Sequence, residues 1–377
     1  MKIYYWSPFL TNIATIKSVL RSAESLVSFK NPNSKHYEVS ILNSSGEWDF
    51  IKKKKFKVKI EKLYPFSFYK VLPKEGFLSS RFSFIVILII NFFPLIFKIK
   101  NDKPKYLIVH LLTLLPIILS PILSKNTRII LRISGLPELT FLRKFIWKLF
   151  SKYIFKVTVP TSTTYNLIKN SKIFDKKKIF LLRDPAIDEK EIFINKNIGL
   201  PKKFCKKKFL VSIGRLTKQK NFSFLIKMFT ECKRLMGIDY LIILGEGEER
   251  PKLQKIINKL KYKNEIFLLG YKKNVYNFIN KSEALISTAE YEDPGFSLIE
   301  AAFLKKKIIT SLVNNGPKEM KRSGNFCYFF NFDDSSSFLS TLKKTKSKNK
   351  KKIKLAYYYS LKFLISNHYK NLIKILT

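Results

Sequence analysis

Apolar residues along the chain fall into short runs that alternate with stretches at helical spacing. Strand-like runs stand at 2–6, 37–42, 106–109, 128–133, 152–159 and 179–182. Between the first two, 15–29 carries Ile16, Val19, Leu20, Ala23 and Leu26 on one side of a helix. Ser162 or Thr163 is expected to cap the helix after 152–159. A second series follows: strands at 209–213, 240–244, 266–269, 284–287 and 308–310, with helices at 221–236, 250–260, 275–280 and 297–303. Strands alternating with helices predict parallel α/β sheets, here two of them.

The pattern breaks at 188–207, where charged residues surround Pro201 and the apolar stretches are short. This is the expected linker between a first domain at 1–187 and a second at 208–355. The Lys-rich stretch 342–354 reads as a solvated loop. The segment 356–377 reads as one amphipathic helix, with Leu361, Leu364, Ile365, Tyr369, Leu372 and Ile373 on one side.

Two apolar runs raise the question of a membrane. The run 82–97 is interrupted by Asn91 and Pro94, and 107–123 by His110, Pro116 and Pro121. Both fall short of the roughly 20 residues that span a bilayer. The first, flanked by Arg81, Lys98 and Lys100, is expected to be a core or interfacial helix, with a true span as the alternative. The second reads as a buried strand feeding a proline-started helix. The first residues, Met-Lys-Ile-Tyr-Tyr-Trp-Ser-Pro, lack the apolar core of a secretory signal.

Composition changes the picture through charge. Of 377 residues, 72 are Lys or Arg and 27 are Asp or Glu, a formal net charge of +45. Such a balance points to nucleic acid or an anionic membrane surface. Only ten of the basic residues are Arg, and the 62 Lys are spread along the whole chain. Readers of bases and bidentate phosphate grips lean on Arg, so nucleic acid is disfavoured. Lys filling solvated positions and attraction to a membrane surface both stay open. Cys205, Cys232 and Cys327 form no close pair, and His36, His110 and His368 have no metal-ligand spacing. That usage fits a reducing compartment.

Ligands of open α/β sheets bind beyond the carboxyl ends of the strands. In the second half, the loop Gly214-Arg215-Leu216-Thr217-Lys218-Gln219-Lys220 leads into a helix that Asn221 is expected to cap. Cations at the positive end of a helix dipole are unfavourable unless an anion is present, so the loop suits a diphosphate. In so Lys-rich a chain it could equally be solvated surface. Gly245-Glu246-Gly247-Glu248 allows close backbone approach, or is a plain turn. Glu290 to Glu300 contains Asp293-Pro294-Gly295, a turn, and a helix expected near Ser297. Glu292 and Glu300 would suit the hydroxyls of a polyol. Alternatively, Ser297-x-x-Glu300 is a capping box and Glu300 only closes the helix end.

Taken in order, Gly214–Leu216 with Lys220-Asn221, Leu244–Gly247, Leu269–Asn274, Glu292-x7-Glu300 and Gly316-Pro317-x-Glu319 resemble glycosyltransferase family 4, within the group 1 glycosyltransferases. The match is specific over about 208–325 and looser in the first half, through 7–10, 109–111 and 132–135. The resemblance implies a GT-B-type fold: two facing Rossmann-like domains, doubly wound parallel sheets, with a C-terminal helix crossing back to the first. It implies a retaining enzyme that moves a sugar from a nucleotide-diphosphate sugar to a glycan or lipid-linked acceptor in cell-surface polysaccharide or lipopolysaccharide synthesis.

The implied roles are residue by residue. Arg215 and Lys220 would neutralise the leaving diphosphate, and Glu292 would contact the transferred sugar. Glu300 would bind the ribose hydroxyls, and Gly295, Phe296 and Ser297 would touch sugar and β-phosphate through their backbone. Gly214 and Gly245 would let the backbone approach the donor, the loop at Tyr271 would hold the base, and His110 would stand near the sugar. No cofactor or metal is implied. Asp333-Asp334 lies beyond the motifs and reads as a loop. The chain departs from the family at 11–15, which lacks the usual glycines, and at Phe303-Leu304-Lys305. Localisation is expected to be cytoplasmic, peripheral on the inner face of the membrane. The competing readings are a basic membrane- or nucleic-acid-binding module, and a phosphorylase or epimerase on the same fold.

Overall fold

The computed structural model describes residues 1–10, 14–29, 36–49, 57–73, 77–345 and 349–377. It divides into two units, Met1–Pro185 with Ile365–Thr377, and Ala186–Leu364. Each is a parallel sheet covered by helices, the two Rossmann-like domains expected from the alternating pattern.

The first unit runs β1 Lys2–Trp6, α1 Ala14–Ser28, β2 Glu38–Asn43, β3 Lys59–Lys62, α2 Phe77–Ile90, α3 Phe92–Asp102 and β4 Tyr106–Val109. It continues with α4 Leu114–Ile118, α5 Ser120–Leu123, β5 Arg128–Arg132, α6 Phe141–Phe150, β6 Ile154–Val159, α7 Ser162–Asn170 and β7 Ile179–Leu181. Its seven strands lie in the order β3-β2-β1-β4-β5-β6-β7. Alternate side chains of β1 serve the two faces: Tyr4 and Trp6 join one apolar cluster, Ile3 and Tyr5 the other. The strand order reverses between β1 and β4, where Ile3 pairs with Tyr106 and Trp6 with Val109.

The second unit runs α8 Glu189–Asn195, β8 Phe209–Ile213, α9 Phe222–Lys227, α10 Phe229–Met236, β9 Tyr240–Leu244, α11 Arg250–Asn258, β10 Ile266–Leu268 and α12 Tyr276–Lys281. It continues with β11 Ala284–Ser287, α13 Phe296–Phe303, β12 Lys307–Ser311, α14 Gly316–Arg322, β13 Tyr328–Phe330, α15 Ser335–Lys344 and α16 Lys350–Leu361. The six strands lie in the order β10-β9-β8-β11-β12-β13, with the reversal between β8 and β11. A reversal leaves a crevice at the carboxyl ends of its two central strands. The loops leaving β8 and β11 therefore flank this unit's ligand position.

Several boundaries differ from expectation. The stretch 188–207 is not a free linker: Asp188 caps α8, Ile192 and Phe204 are buried in the second core, and Asn274 Nδ2 donates to Asn195 O. The expected helix 221–236 is two helices that meet at Met228. Strand β6 starts at Ile154 because 151–153 is a tight 3-10 turn, and α7 is capped by Thr161 rather than Ser162 or Thr163. Much of the expected loop 342–354 is helical, the ends of α15 and α16. The expected helix 356–377 is broken at 362–364: α16 packs on α13 in the second unit, while α17 Ile365–Leu376 packs on α1 in the first. The chain thus returns to the first unit as expected, but α17 makes the return alone.

Candidate active site

Three loops leaving β8, β9 and β10 are laced together by backbone hydrogen bonds. Gly214 N donates to Leu244 O at 3.0 Å, Leu216 N to Glu246 O at 2.9 Å, and Gly245 N to Gly270 O at 2.9 Å. Gly245 has φ of +146°, and a Cβ there would fall 1.9 Å from Gly214 O. Backbone atoms cannot move aside for a side chain, so this crossing admits only glycine.

The loop after β8 is also tied to the loop after β11. Gln219 Nε2 donates to Tyr291 O at 2.9 Å, and Thr288 Oγ1 donates to Lys220 O and Asn221 O. This bracing brings together two of the expected site residues, 72 positions apart. Lys220 Nζ lies 2.8 Å from Glu292 Oε1, with side-chain exposures of 18% and 7%. Ser287 Oγ donates to the same carboxylate oxygen at 3.1 Å. Arg215 is exposed and makes no side-chain hydrogen bond or ion pair among the described residues. Asn221 does not cap the helix: it has left-handed φ of 46°, and its Nδ2 donates to Asp333 Oδ1 at 2.9 Å.

The backbone of Glu292 is fixed from a second side. Gly316 N donates to Glu292 O at 3.0 Å, and a Cβ on Gly316 would fall 2.1 Å from Pro294 O. Asn315, fully buried, donates to Asp293 Oδ2 at 2.8 Å. Helix α13 starts at Phe296 with Gly295 (φ +86°) as its cap and no side chain in that role. Ser297 lies inside the helix, so the capping-box alternative fails. The N–H groups of Phe296, Ser297 and Leu298 precede the first intrahelical bond, Ile299 N to Gly295 O. Glu300, one turn on and buried, accepts from Tyr276 OH at 3.4 Å. Tyr271 stands exposed on the loop after β10, with no side-chain hydrogen bond among the described residues.

Sequence reasoning missed Ser287, Gln219, Thr288, Tyr276 and Asn315. Asn315 sits next to the Gly316-Pro317 motif, which could have flagged it; the others carry no local signal. Asp334 is the N-cap of α15, so Asp333-Asp334 serves the fold. The glycine-free stretch at 11–13 lies outside the described residues.

His110 belongs to the first unit, at the carboxyl end of β4, where its N–H donates to Trp6 O at 2.9 Å. Burial pushes its imidazole well below the usual range, and Arg132 and His368 add to this. The ring is therefore neutral, and its Nδ1 is buried without a partner among the described residues. A buried polar atom left unpaired costs about 1–3 kcal/mol, which marks the position as more than packing.

A coupled glycine cradle, a Lys–Glu pair and a helix start with no side-chain cap share one strand-order reversal. The family model of Glycosyl transferases group 1 matches residues 195–360. Over this stretch the chain is similar to the group 1 glycosyltransferases. An uncharacterized glycosyltransferase of Methanocaldococcus jannaschii is 30% identical over 239 residues, covering 59% of this chain and 59% of its own length. The N-acetylgalactosamine-N,N'-diacetylbacillosaminyl-diphospho-undecaprenol 4-alpha-N-acetylgalactosaminyltransferase of Campylobacter jejuni is 26% identical over 234 residues, covering 58% of this chain and 60% of its own length. The chain therefore spans about three fifths of these relatives. Among solved structures, Anabaena HepE in complex with UDP and glucose aligns over 100% of this chain and 99% of its own, with TM-score 0.69 at 11% identity. That likeness shows a shared fold around this stretch.

Proposed function

We propose that the chain is a glycosyltransferase that takes a sugar from a nucleotide-diphosphate donor and passes it, with retention, to a glycan or lipid-linked acceptor of a cell-surface polymer. The observation that carries this reading is the meeting of Lys220 and Glu292 at the β8/β11 reversal, in the loops that also carry Arg215 and the start of α13. Breaking a glycosyl–phosphate bond places negative charge on the diphosphate and positive character on the anomeric carbon. Arg215, Lys220 and the free N–H groups of α13 would stabilise the first, and Glu292 the second. Fixed donors of this kind are each worth roughly 2.7–4 kcal/mol of barrier. In this reading the donor diphosphate needs no metal, and Glu300, held by Tyr276, takes the ribose hydroxyls.

The acceptor class rests on named relatives. The C. jejuni relative acts on a diphospho-undecaprenol glycan, and a Staphylococcus aureus relative, 27% identical over 119 residues, is a poly(ribitol-phosphate) alpha-N-acetylglucosaminyltransferase. The test is a screen of nucleotide sugars for thermal stabilisation, followed by transfer assays with the best donor. A ligand bound 100-fold above its Kd adds about 2.7 kcal/mol to stability. If no nucleotide sugar raises the melting temperature and none is hydrolysed or transferred, the reading fails.

A further inference from the structure

Helix α2 is apolar on its outward face as well as on the inner face that buries Ile87. Ser83 is buried, its Oγ donating to Pro73 O at 2.6 Å, while Leu78, Phe82, Ile85 and Ile89 form the exposed stripe. These four recur at helical spacing, so they share one face. Phe82 is 59% exposed and Ile89 65%. After a 46° bend, α3 extends the stripe with Phe93 and Phe97.

The stripe has neighbours. Helix α3 packs on α5, and α4 on α6. The exposed side chains of α4 and α5 are Leu114, Ile118 and Ile122, again four apart. Those of α6 include Phe141, Phe145 and Leu149, also four apart, with Phe141 86% exposed, beside the equally solvent-facing Leu142, Arg143, Lys144 and Lys148. Three adjoining helix faces are therefore apolar toward solvent, which isolated surface apolar residues do not explain. No single described helix is long and apolar enough to cross a membrane.

Charge selects the occupant. Between 77 and 150 the chain has seven Lys and four Arg but only two acidic residues, Asp102 and Glu138. Asp102 is already held by Lys98, which also binds Glu61 at 2.6 Å, so Lys98 serves the fold rather than the surface expected of it. Lys100, Lys125 and Lys144 are exposed and unpaired among the described residues. A second copy of a chain carrying +45 would repel this one, whereas anionic lipid would attract it.

We propose that the outward faces of α2–α3, α4–α5 and α6 form an interfacial docking surface for an anionic lipid bilayer. The apolar stripes enter the headgroup boundary and the interleaved Lys meet lipid phosphates, without a span. The inner side of α2 packs against Leu10, just past β1, and Leu112, just past β4. Docking therefore brings the β1/β4 crevice of this unit to the lipid boundary, where a lipid-carried acceptor is presented.

The test is sedimentation of the full chain with vesicles of phosphatidylcholine alone or with phosphatidylglycerol, at low and high salt. Wild type is expected to pellet with the anionic vesicles, and the double variant Ile85→Glu/Phe145→Glu to bind them about tenfold more weakly. Both residues are exposed, so the variant should keep the wild-type melting temperature and donor-induced stabilisation. That second readout separates this proposal from the donor chemistry above. Equal binding of the variant, equal indifference to lipid charge, or an oligomer that the same two substitutions dissolve, would each overturn it.

Discussion

Replacing Glu292 with Gln separates two roles that the ligand-free geometry superimposes. Lys220 Nζ is engaged with Glu292 at 2.8 Å, yet the proposed chemistry assigns it to the departing diphosphate. A ligand must therefore compete with the carboxylate for the ammonium. The pair is mostly buried, but its geometry is a single contact rather than a bidentate one. We set its competing strength at about 1 kcal/mol, the upper end for an accessible pair. Gln keeps the shape and an acceptor for Ser287 and Lys220, so the fold should lose no more than about 1 kcal/mol. With the competing charge gone, Lys220 should grip a diphosphate about fivefold more tightly. Transfer should move the other way, since the charge facing the anomeric carbon is lost: roughly a 100- to 1000-fold drop in kcat. Calorimetric titration with the nucleoside diphosphate that best stabilises wild type, beside product formation under saturating donor, reads both signs. If the variant melts normally but binds that diphosphate tenfold more weakly, Glu292 holds the nucleotide half and not the sugar. A normal transfer rate would remove Glu292 from the reaction altogether.

Arg215→Ala should cut transfer about 100-fold while leaving stability within about 0.5 kcal/mol, because the side chain is exposed and unpaired; a shift larger than that in a denaturant melt would make it structural. Glu300→Gln should weaken nucleoside-diphosphate binding by roughly 1.5–3 kcal/mol, and Tyr276→Phe by less, since Tyr276 would reach the ligand through Glu300; equal effects would mean that the pair is a packing unit. His368, pinned by Ser22 Oγ at 2.8 Å and Arg183 O at 2.6 Å, has its imidazole pushed down to about 4 by burial. The unfolded chain binds that proton near 6.5, so stability is fully present above about 6.5 and falls by up to about 3 kcal/mol as pH drops towards 4. Urea midpoints at pH 7 and 5 check this, and His368→Asn should reduce the slope to the share left by His110, which burial also holds low; a wild-type midpoint that is flat over this range would contradict it.

Where a strand is central, its apolar run is self-evident, and β1, β4, β8, β9 and β11 stand where the pattern puts them. The edge strands β7 and β10 are legible in the same way, but two other edge elements are not. Strand β3 is Lys-Ile-Glu-Lys, half of it solvated, and β13 is three residues long. The helices on either side of Met228, and those on either side of 362–364, share one periodicity, so a break between them leaves no compositional mark. The site divides along the same line. Glycines that sit on backbone crossings are legible because no other residue fits. The pairing of Lys220 with Glu292 is not, because it depends on how two strands lie beside each other. Least legible is direction: the stripe of α2 has the spacing of a core face, and only its tertiary surroundings turn it outward.

The charge of +45 bears on specificity as well as on location. A field of that size draws any polyanion towards the surface, so attraction alone cannot select a donor. Selection has to come from groups that are costly to satisfy wrongly. The second unit supplies them: Glu292 and Glu300 are buried carboxylates, and a bare phosphate brought against either would be repelled. In the proposed function, only a ligand that sets hydroxyls against the carboxylates and its phosphates against Arg215, Lys220 and the start of α13 would meet both demands. Holding Lys220 on Glu292 strengthens this discrimination, since an anion without a sugar would share the ammonium with a buried carboxylate that repels it. The same positive field on the first unit meets no comparable carboxylate filter among α2 to α6, which suits a surface that recognises the charge of a bilayer rather than the shape of one molecule.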